Sequence, residues 1–129
     1  MRLFLVRHAE AAPGEPDALR PLTPAGRVSA RALGEQLAAE QLDAVLCSPL
    51  LRARETAEQI ARAASLSAAV DERLAPGATA DGVREAVSGL GETVVAVGHQ
   101  PDCTEILLEL TGEERAFAPG AAAAVELDH

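Results

Sequence analysis

Three short segments of this sequence contain residue types that can do chemistry. The segment "LFLVRHAEA", residues 3 to 11, passes from four apolar residues directly into Arg7 and His8. The segment "VVAVGHQP", residues 94 to 101, ends an apolar run at His99, and "CSPLLRARETAE", residues 47 to 58, carries Arg52. Imidazole nitrogens act as nucleophiles and proton carriers, and the arginine fork binds the oxygens of anions. A site built from these groups suits an anionic substrate.

The elements that position these residues are predicted from apolar patterning and from turn and cap signals. Continuous apolar runs predict buried strands, Thr23-Pro24 is typical of a helix start, and Gly112 is typical of a helix end. Three prolines and a glycine predict a loop over residues 11–22. The predicted strands cover residues 2–6, 43–49, 66–74, 92–101 and 120–128, and the predicted helices cover residues 24–41, 50–64, 80–90 and 102–112.

Strands and helices alternate along the chain. This order predicts one α/β domain over residues 1–129 with a mostly parallel sheet. Ligands bind such sheets beyond the carboxyl ends of the strands. Each of the residues that can do chemistry lies at or just after the end of a predicted strand, or at the start of the helix that follows one. We therefore expect four side chains to converge at one edge of the sheet: Arg7, His8, Arg52 and His99.

Composition excludes several classes of function. The net charge of −9, with no basic run, argues against nucleic acid or an anionic membrane as a partner. No segment is apolar enough to cross a bilayer and no signal peptide is evident, so a cytoplasmic protein is expected. The sequence has no lysine, which excludes a P-loop lysine and a Schiff base. It has no metal-ligand motif, and its two cysteines, Cys47 and Cys103, are expected in the core.

At these motifs the sequence resembles the histidine phosphatase superfamily, which is named for its RHG signature. "LVRHAEA" matches the first motif, "CSPLLRARETAE" matches S-P-x-x-R-A-x-x-T-A, and "VVAVGHQP" matches G-H-x-P. The matches occur in the family's order, with Ala9 where many members have glycine. The resemblance implies a phosphoglycerate mutase-like, three-layer α/β/α fold with His8 as the nucleophile. The implied phosphate pocket consists of Arg7, Arg52 and His99.

Physical reasoning agrees with these implied roles. A phosphoryl group spreads its charge over three outer oxygens, which arginine forks bind bidentately. The two arginines and a protonated His99 would hold the oxygens while His8 attacks phosphorus, and water would hydrolyse the phosphohistidine that forms. Nearby arginines disfavour protonation of His8 and keep it nucleophilic. Because the arginines neutralise the charge, no metal or cofactor is expected, and phosphate-like oxyanions should inhibit the reaction.

Three other residues near the motifs each have two interpretations. Glu10 would orient a substrate or face solvent. Arg20, in "LRPLTPAG", would reach the pocket or serve the loop around it. Ser48 would bind phosphate or cap the helix that follows Pro49.

Within the superfamily, the sequence resembles the small phosphohistidine phosphatases of the SixA type. The chain is short, and "RHAEA" followed by "LRPLTPAG" is similar to the opening of that branch. Mutase-like members commonly carry a general-acid glutamate two residues after an R-L pair, and here Pro76 occupies that position after Arg73 and Leu74. A phosphohistidine needs less acid catalysis, because its imidazole is already a good leaving group once the ring is protonated. A protein that acts on a phosphohistidine-bearing protein is therefore expected. We also expect it to be a monomer.

Two alternatives remain open at the level of sequence. The first is a small-molecule phosphomonoesterase whose general acid is Asp71, Glu72 or Asp81. The second is a phosphate- or phosphoprotein-binding module without turnover. A metabolite screen would identify the first, and a test for a covalent phosphoenzyme would separate the second from both enzymes.

Overall fold

A five-stranded sheet runs through the centre of the computed structural model, which describes residues 1–128 and leaves His129 outside them. Its strands are β1 (Arg2–Arg7), β2 (Ala44–Cys47), β3 (Ala68–Val70), β4 (Thr93–Gly98) and β5 (Ala122–Glu126). The helices are α1 (Pro24–Ala38), α2 (Leu51–Ala63), α3 (Ala80–Val87) and α4 (Asp102–Thr111), with short 3-10 helices at Asp17–Leu19 and Glu72–Leu74. The predicted strands and helices are all present, and most are shorter than the sequence pattern indicates.

The strand order is β3-β2-β4-β1-β5. All neighbouring pairs are parallel except β1 and β5, which are antiparallel. A parallel sheet needs helices on its faces, because each crossover returns the chain to the same end. This arrangement confirms the predicted α/β fold with a mostly parallel sheet.

The continuous apolar strands are buried on both faces, as their composition predicts. In β1, Leu3 and Leu5 belong to the core cluster that includes residues of α3 and α4. Phe4 and Val6, on the opposite face, belong to the cluster that includes residues of α1 and α2. The alternation of side chains along one strand thus joins the helices of both outer layers to the sheet.

The ends of two helices follow the predicted signals. The side chain of Thr23 accepts a hydrogen bond from the amide of Gly26, and Pro24 is the first residue of α1. Gly112 ends α4 in the left-handed conformation, with φ of 79°. Both predictions are confirmed.

The apolar pattern of α1 also predicts that Val28, Leu33 and Leu37 lie on one side of the helix, and for Val28 this prediction is wrong. Val28 is 71% exposed, whereas Leu33 and Leu37 are buried. Val28 and Leu33 are five positions apart in the sequence. At 3.6 residues per turn, their side chains point about 140° away from each other around the helix axis. The inner face carries small residues instead, Ala30 and Gly34 among them.

The two cysteines lie in the core as predicted, and neither forms a disulfide. Burial raises the pKa of the Cys47 thiol to about 11 and that of the Cys103 thiol to about 12. Both thiols therefore stay protonated and unreactive at neutral pH. No helix in the part of the chain that the structure describes is long and apolar enough to cross a membrane.

A glycine near the start of α1 lets this helix approach the chain that follows β1. A Cβ atom on Gly26 would lie 2.2 Å from the carbonyl oxygen of Glu10, two residues after His8. No side chain can occupy that space unless the backbone moves. The position of α1 is thus coupled to the segment that carries the first histidine.

Gly26→Ala should destabilise the protein by ~1–3 kcal/mol, because the added methyl group overpacks against backbone. Gly82→Ala is the matched control, since Gly82 occupies the same position after the capping residue Thr79 in α3. There the nearest atom to the new Cβ is the Thr79 hydroxyl at 3.2 Å, so we expect a change below ~1 kcal/mol. Chemical denaturation measures both values. Equal losses in the two variants would show that the contact with Glu10 is unimportant.

Candidate active site

The carboxyl ends of β1, β2 and β4 bring three of the predicted site residues to one edge of the sheet. His8 directly follows β1, Ser48 follows β2 and His99 follows β4. The ladder continues one step past the strands: the His8 amide donates to Gly98 O and the Ser48 amide donates to Val97 O, each at 3.0 Å. Strand pairing therefore sets the relative positions of these residues.

The two histidine rings lie side by side. Their centroids are 5.3 Å apart and their planes are inclined by 58°. Both residues are buried. The sequence places them 91 positions apart, and the parallel pairing of β1 with β4 brings them together.

The hydrogen bond of the His8 ring fixes its tautomer. Nδ1 lies 2.7 Å from the carbonyl oxygen of Ala9, which can only accept, so Nδ1 carries the proton. In the neutral ring Nε2 then has a free lone pair. The pKa of His8 is lowered by burial first and by the charges of Arg52, Arg7 and Arg20, although the bond to Ala9 opposes this. The predicted effect of the arginines is present, but burial is the larger cause.

The His99 ring is held by Ser48. Nε2 of His99 lies 2.7 Å from the Ser48 hydroxyl oxygen, which also accepts from the Leu50 amide. Burial lowers the pKa of His99 to about 4, and the neighbouring His8 and Arg52 contribute. The ligand-free protein therefore carries a neutral His99 at neutral pH, whereas the protonated ring is expected with phosphate bound. A bound phosphate dianion would raise this pKa again.

Arg52 is buried next to the histidines, with only 8% of its surface exposed. Its Nη1 donates to the Asp17 carbonyl oxygen at 2.9 Å, and its Nη2 donates to the Asp17 carboxylate at 3.2 Å. These bonds offset part of the cost of burying a cation. Arg54, two positions along α2, is exposed.

Arg7 ends β1 and points its guanidinium toward the chain before β5. Its Nη1 donates to the Phe117 carbonyl oxygen at 2.8 Å, while Nε is buried without a hydrogen-bond partner. The charges of Arg7 and Arg52 both lower the pKa values of His8 and His99. The structure thus brings together all four residues of the predicted centre.

The threonine of the S-P-x-x-R-A-x-x-T-A motif, Thr56, fixes the backbone beside His8, a role that the sequence did not predict. Thr56 is fully buried; its hydroxyl accepts from the Ala9 amide at 3.0 Å and donates to the Arg52 carbonyl oxygen at 2.9 Å. On the other side, the Gly120 amide donates to the His8 carbonyl oxygen at 3.0 Å. The signal for Thr56 was its place in "RARET", one helical turn after Arg52.

The three residues with open interpretations have different outcomes. Ser48 contacts His99 and is not the cap of α2, whose N-cap position is Leu50. Glu10 is exposed, and its carboxylate accepts from the Thr23 hydroxyl at 2.8 Å, at the start of α1. Arg20 bonds to the Ala12 carbonyl oxygen and to Asp17, so it serves the loop, although its charge also lowers the pKa of His8.

Two carboxylates have roles at the site that the sequence did not predict. Asp17 binds Arg52, as described above. Asp102 is buried, and its Oδ2 accepts from the amides of Gly77 and Ala78 at 2.9 and 3.3 Å. Asp102 therefore holds the loop that contains Pro76. The sequence feature that could have indicated Asp102 is its position: an acidic residue in the first turn of a helix, directly after the G-H-x-P motif.

The carboxylates that the sequence suggested as general acids are either paired with an arginine or exposed. Asp71 accepts two hydrogen bonds from the Arg73 guanidinium, whose contact lowers the pKa of this carboxyl. Glu72 and Asp81 are exposed. Among residues 1–128, no group of three or more His, Cys, Asp and Glu side chains could hold a metal ion.

A family model described as "Histidine phosphatase superfamily (branch 1)" matches residues 3–76. This chain belongs to the histidine phosphatase superfamily. Membership assigns phosphatase chemistry to the protein and agrees with the geometry of its two histidines and two arginines. A search of curated protein sequences gives no significant match.

Solved structures with a similar fold support this membership. A structure of the protein histidine phosphatase SixA complexed with tungstate is 32% identical, with a TM-score of 0.89, and the match covers 99% of this chain and 89% of that one. SixA from Agrobacterium tumefaciens is 27% identical over 95% of this chain and 89% of that one, with a TM-score of 0.80. YhfR from Bacillus stearothermophilus is 25% identical over 98% of this chain and 91% of that one, with a TM-score of 0.75.

The His99 ring should titrate near pH 4 in the ligand-free protein, against an ordinary value of about 6.5. Between these two pH values the unfolded chain binds a proton at His99 that the folded protein does not bind. His99 therefore lowers the free energy of unfolding as the pH is lowered. NMR of protein labelled at its histidine rings measures the titration, with His99→Gln to assign the signal. Added phosphate should move the midpoint upward. A midpoint near 6.5 without ligand would contradict the burial argument.

Proposed function

We propose that this protein is a metal-independent phosphohistidine phosphatase that transfers phosphate from a phosphorylated protein to His8 and then to water. The observation that carries the proposal is the 2.7 Å contact between His8 Nδ1 and the Ala9 carbonyl oxygen. It leaves Nε2 as the only nitrogen with a free lone pair. Burial and the neighbouring arginines keep that nitrogen unprotonated at neutral pH.

The phosphoryl group is bound by Arg52, Arg7 and His99. Two guanidinium groups supply donors for the outer oxygens, and His99 takes up a proton as the dianion arrives. SixA, which shares this fold, was solved with tungstate, a tetrahedral oxyanion like phosphate. That complex supports the assignment of an oxyanion pocket to this chain.

Transfer proceeds in two displacements. His8 Nε2 forms a bond to phosphorus while the bond from phosphorus to the substrate nitrogen breaks, and its electron pair returns to the departing imidazole. The phosphorylated His8 ring is cationic and keeps Nδ1–H on the Ala9 carbonyl oxygen, which stabilises the charge. Water then attacks phosphorus, the bond from phosphorus to Nε2 breaks with its electron pair returning to the His8 ring, and inorganic phosphate leaves with the protons of the water.

The residues near the position of the missing general acid favour phosphohistidine over a phosphate ester as the substrate. Pro76 is exposed and carries no proton, and the paired carboxylate of Asp71 is held ionised by Arg73. A positioned general acid contributes roughly 10²–10⁴-fold to the rate. An alkoxide leaving group would lose this factor, whereas a ring that is already protonated leaves as neutral imidazole and does not need it.

The function is tested by the order of kcat/KM values. We expect a phosphohistidine protein first, an activated aryl phosphate second, and serine or sugar phosphates last, because leaving-group basicity rises in that order. His8→Ala should bring all three to near background, which excludes a contaminating phosphatase. An alkyl phosphate cleaved as efficiently as the phosphohistidine protein would favour the small-molecule phosphomonoesterase instead.

Trapping of the intermediate completes that test. Phosphohistidine is acid labile, so the reaction is quenched in alkali, and the labelled phosphate should be found on His8. No turnover and no trapped phosphate would favour the binding module. Activity that a chelator removes and a divalent ion restores would overturn the metal-independent mechanism.

Arg52→Ala should lower kcat/KM by ~10²–10³-fold, because it removes preorganised donors from the phosphate pocket. Arg52→Lys should recover little of this loss, since a point charge cannot replace the fork. Arg54→Ala is the matched control from the same helix, and its exposed side chain should leave the rate nearly unchanged. Equal losses at positions 52 and 54 would show that Arg52 does not bind the phosphate.

A further inference from the structure

The loop between β1 and α1 places the carboxylate of Asp17 in contact with the buried guanidinium of Arg52. Asp17 begins the 3-10 helix Asp17–Leu19, in the loop that the sequence predicts without any functional residue other than Arg20. Both its carbonyl oxygen and its carboxylate accept from Arg52. The second carboxylate oxygen accepts from Arg20 at 3.1 Å, and Arg20 is itself anchored to the Ala12 carbonyl oxygen.

This carboxylate is a fixed negative charge at the mouth of a positive pocket. The side chain of Asp17 is 63% exposed, so it faces the solvent from which a substrate arrives. Hydrogen bonds from Arg20, followed by the charge of Arg52, lower its pKa and keep it ionised at neutral pH. Its charge also reaches His99, whose protonated form it favours. The carboxylate is in direct contact with the Arg52 guanidinium, which binds the phosphate in the proposed function.

We propose that Asp17 determines the leaving-group specificity of this site, by favouring a departing group with positive charge over one that becomes negative. The proposal rests on the proposed function, in which Arg52 binds the phosphate. The favoured substrate class is a phosphoramidate of protonated imidazole, as in phosphohistidine. The disfavoured class comprises phosphate esters.

The charges that develop during transfer explain the preference. A phosphohistidine ring that has taken a proton from solvent is cationic, and it loses this charge only as the bond between nitrogen and phosphorus breaks. Its remaining N–H keeps the proton and can donate it to a carboxylate in a hydrogen bond. An ester oxygen receives the electron pair of its bond to phosphorus and becomes negative, so the carboxylate repels it.

A purely structural role for Asp17 makes a different prediction. If the carboxylate only orients Arg52, its loss disturbs the phosphate group, which both substrate classes share. Both values of kcat/KM would then fall by the same factor. The ratio of the two values therefore separates the electrostatic role from the positioning role.

The test is Asp17→Asn, which keeps the main-chain bond to Arg52 and an oxygen acceptor but removes the charge. The kcat/KM value is measured for a phosphohistidine protein and for an aryl phosphate. We expect the ratio of the first to the second to fall roughly three- to tenfold, the size of a screened interaction between unit charges at the protein surface. Glu40→Gln is the matched control, because it removes a carboxylate paired with Arg2 at the far end of β1, and it should leave the ratio unchanged.

Each outcome decides the proposal. An unchanged or increased ratio in Asp17→Asn, with the wild-type preference for phosphohistidine intact, overturns the role of Asp17 and leaves the proposed function standing. A wild-type protein without that preference overturns the proposed function itself. Should Asp17→Asn fail to fold by circular dichroism, Asp17→Ser gives the same ratio, and its fall or constancy is interpreted in the same way.

Discussion

The short hydrogen bond between His8 Nδ1 and the Ala9 carbonyl oxygen is the constraint on which the site depends. It joins the ring to its own backbone, so the ring keeps its orientation only if the backbone after β1 is held. That backbone is bound by the Thr56 hydroxyl and the Gly120 amide, and α1 lies against it at Gly26. Elements from three parts of the chain therefore serve to fix one imidazole.

Burial and charge act on this imidazole in the same direction. Removing a histidine from water favours the neutral ring, and each arginine nearby adds to that preference. The chain has a net charge of −9, yet its strand ends collect guanidinium groups around two buried rings. The guanidinium groups create a local positive field in an acidic protein, and this field favours binding of a phosphate-like anion at the strand ends.

The cations must themselves be stabilised, and this requirement shapes the loops. A buried guanidinium without acceptors would cost several kcal/mol, so Arg52 has the carbonyl and carboxylate of Asp17, and Arg7 has the Phe117 carbonyl oxygen. Most of these acceptors are main-chain oxygens, which carry no net charge and leave the field of the pocket positive. Asp17 is the exception, because its carboxylate carries a full negative charge and is 63% exposed. The buried carboxylate of Asp102 accepts from two amides of the loop around Pro76 and not from a cation.

The sequence alone determined the sheet, its buried strands and the identity of the four central residues. Apolar runs such as Leu3 to Val6 are local signals, and parallel strands must end at the same edge, so the meeting of His8 and His99 follows from pattern and topology. The positions of Asp17, Thr56 and Asp102 were decided only by tertiary structure, because each binds atoms 24 to 47 positions away through a loop or helix face. The protonation of His99 was also beyond the sequence. Its charge depends on how completely the fold excludes water from the ring, and that is a property of packing in three dimensions.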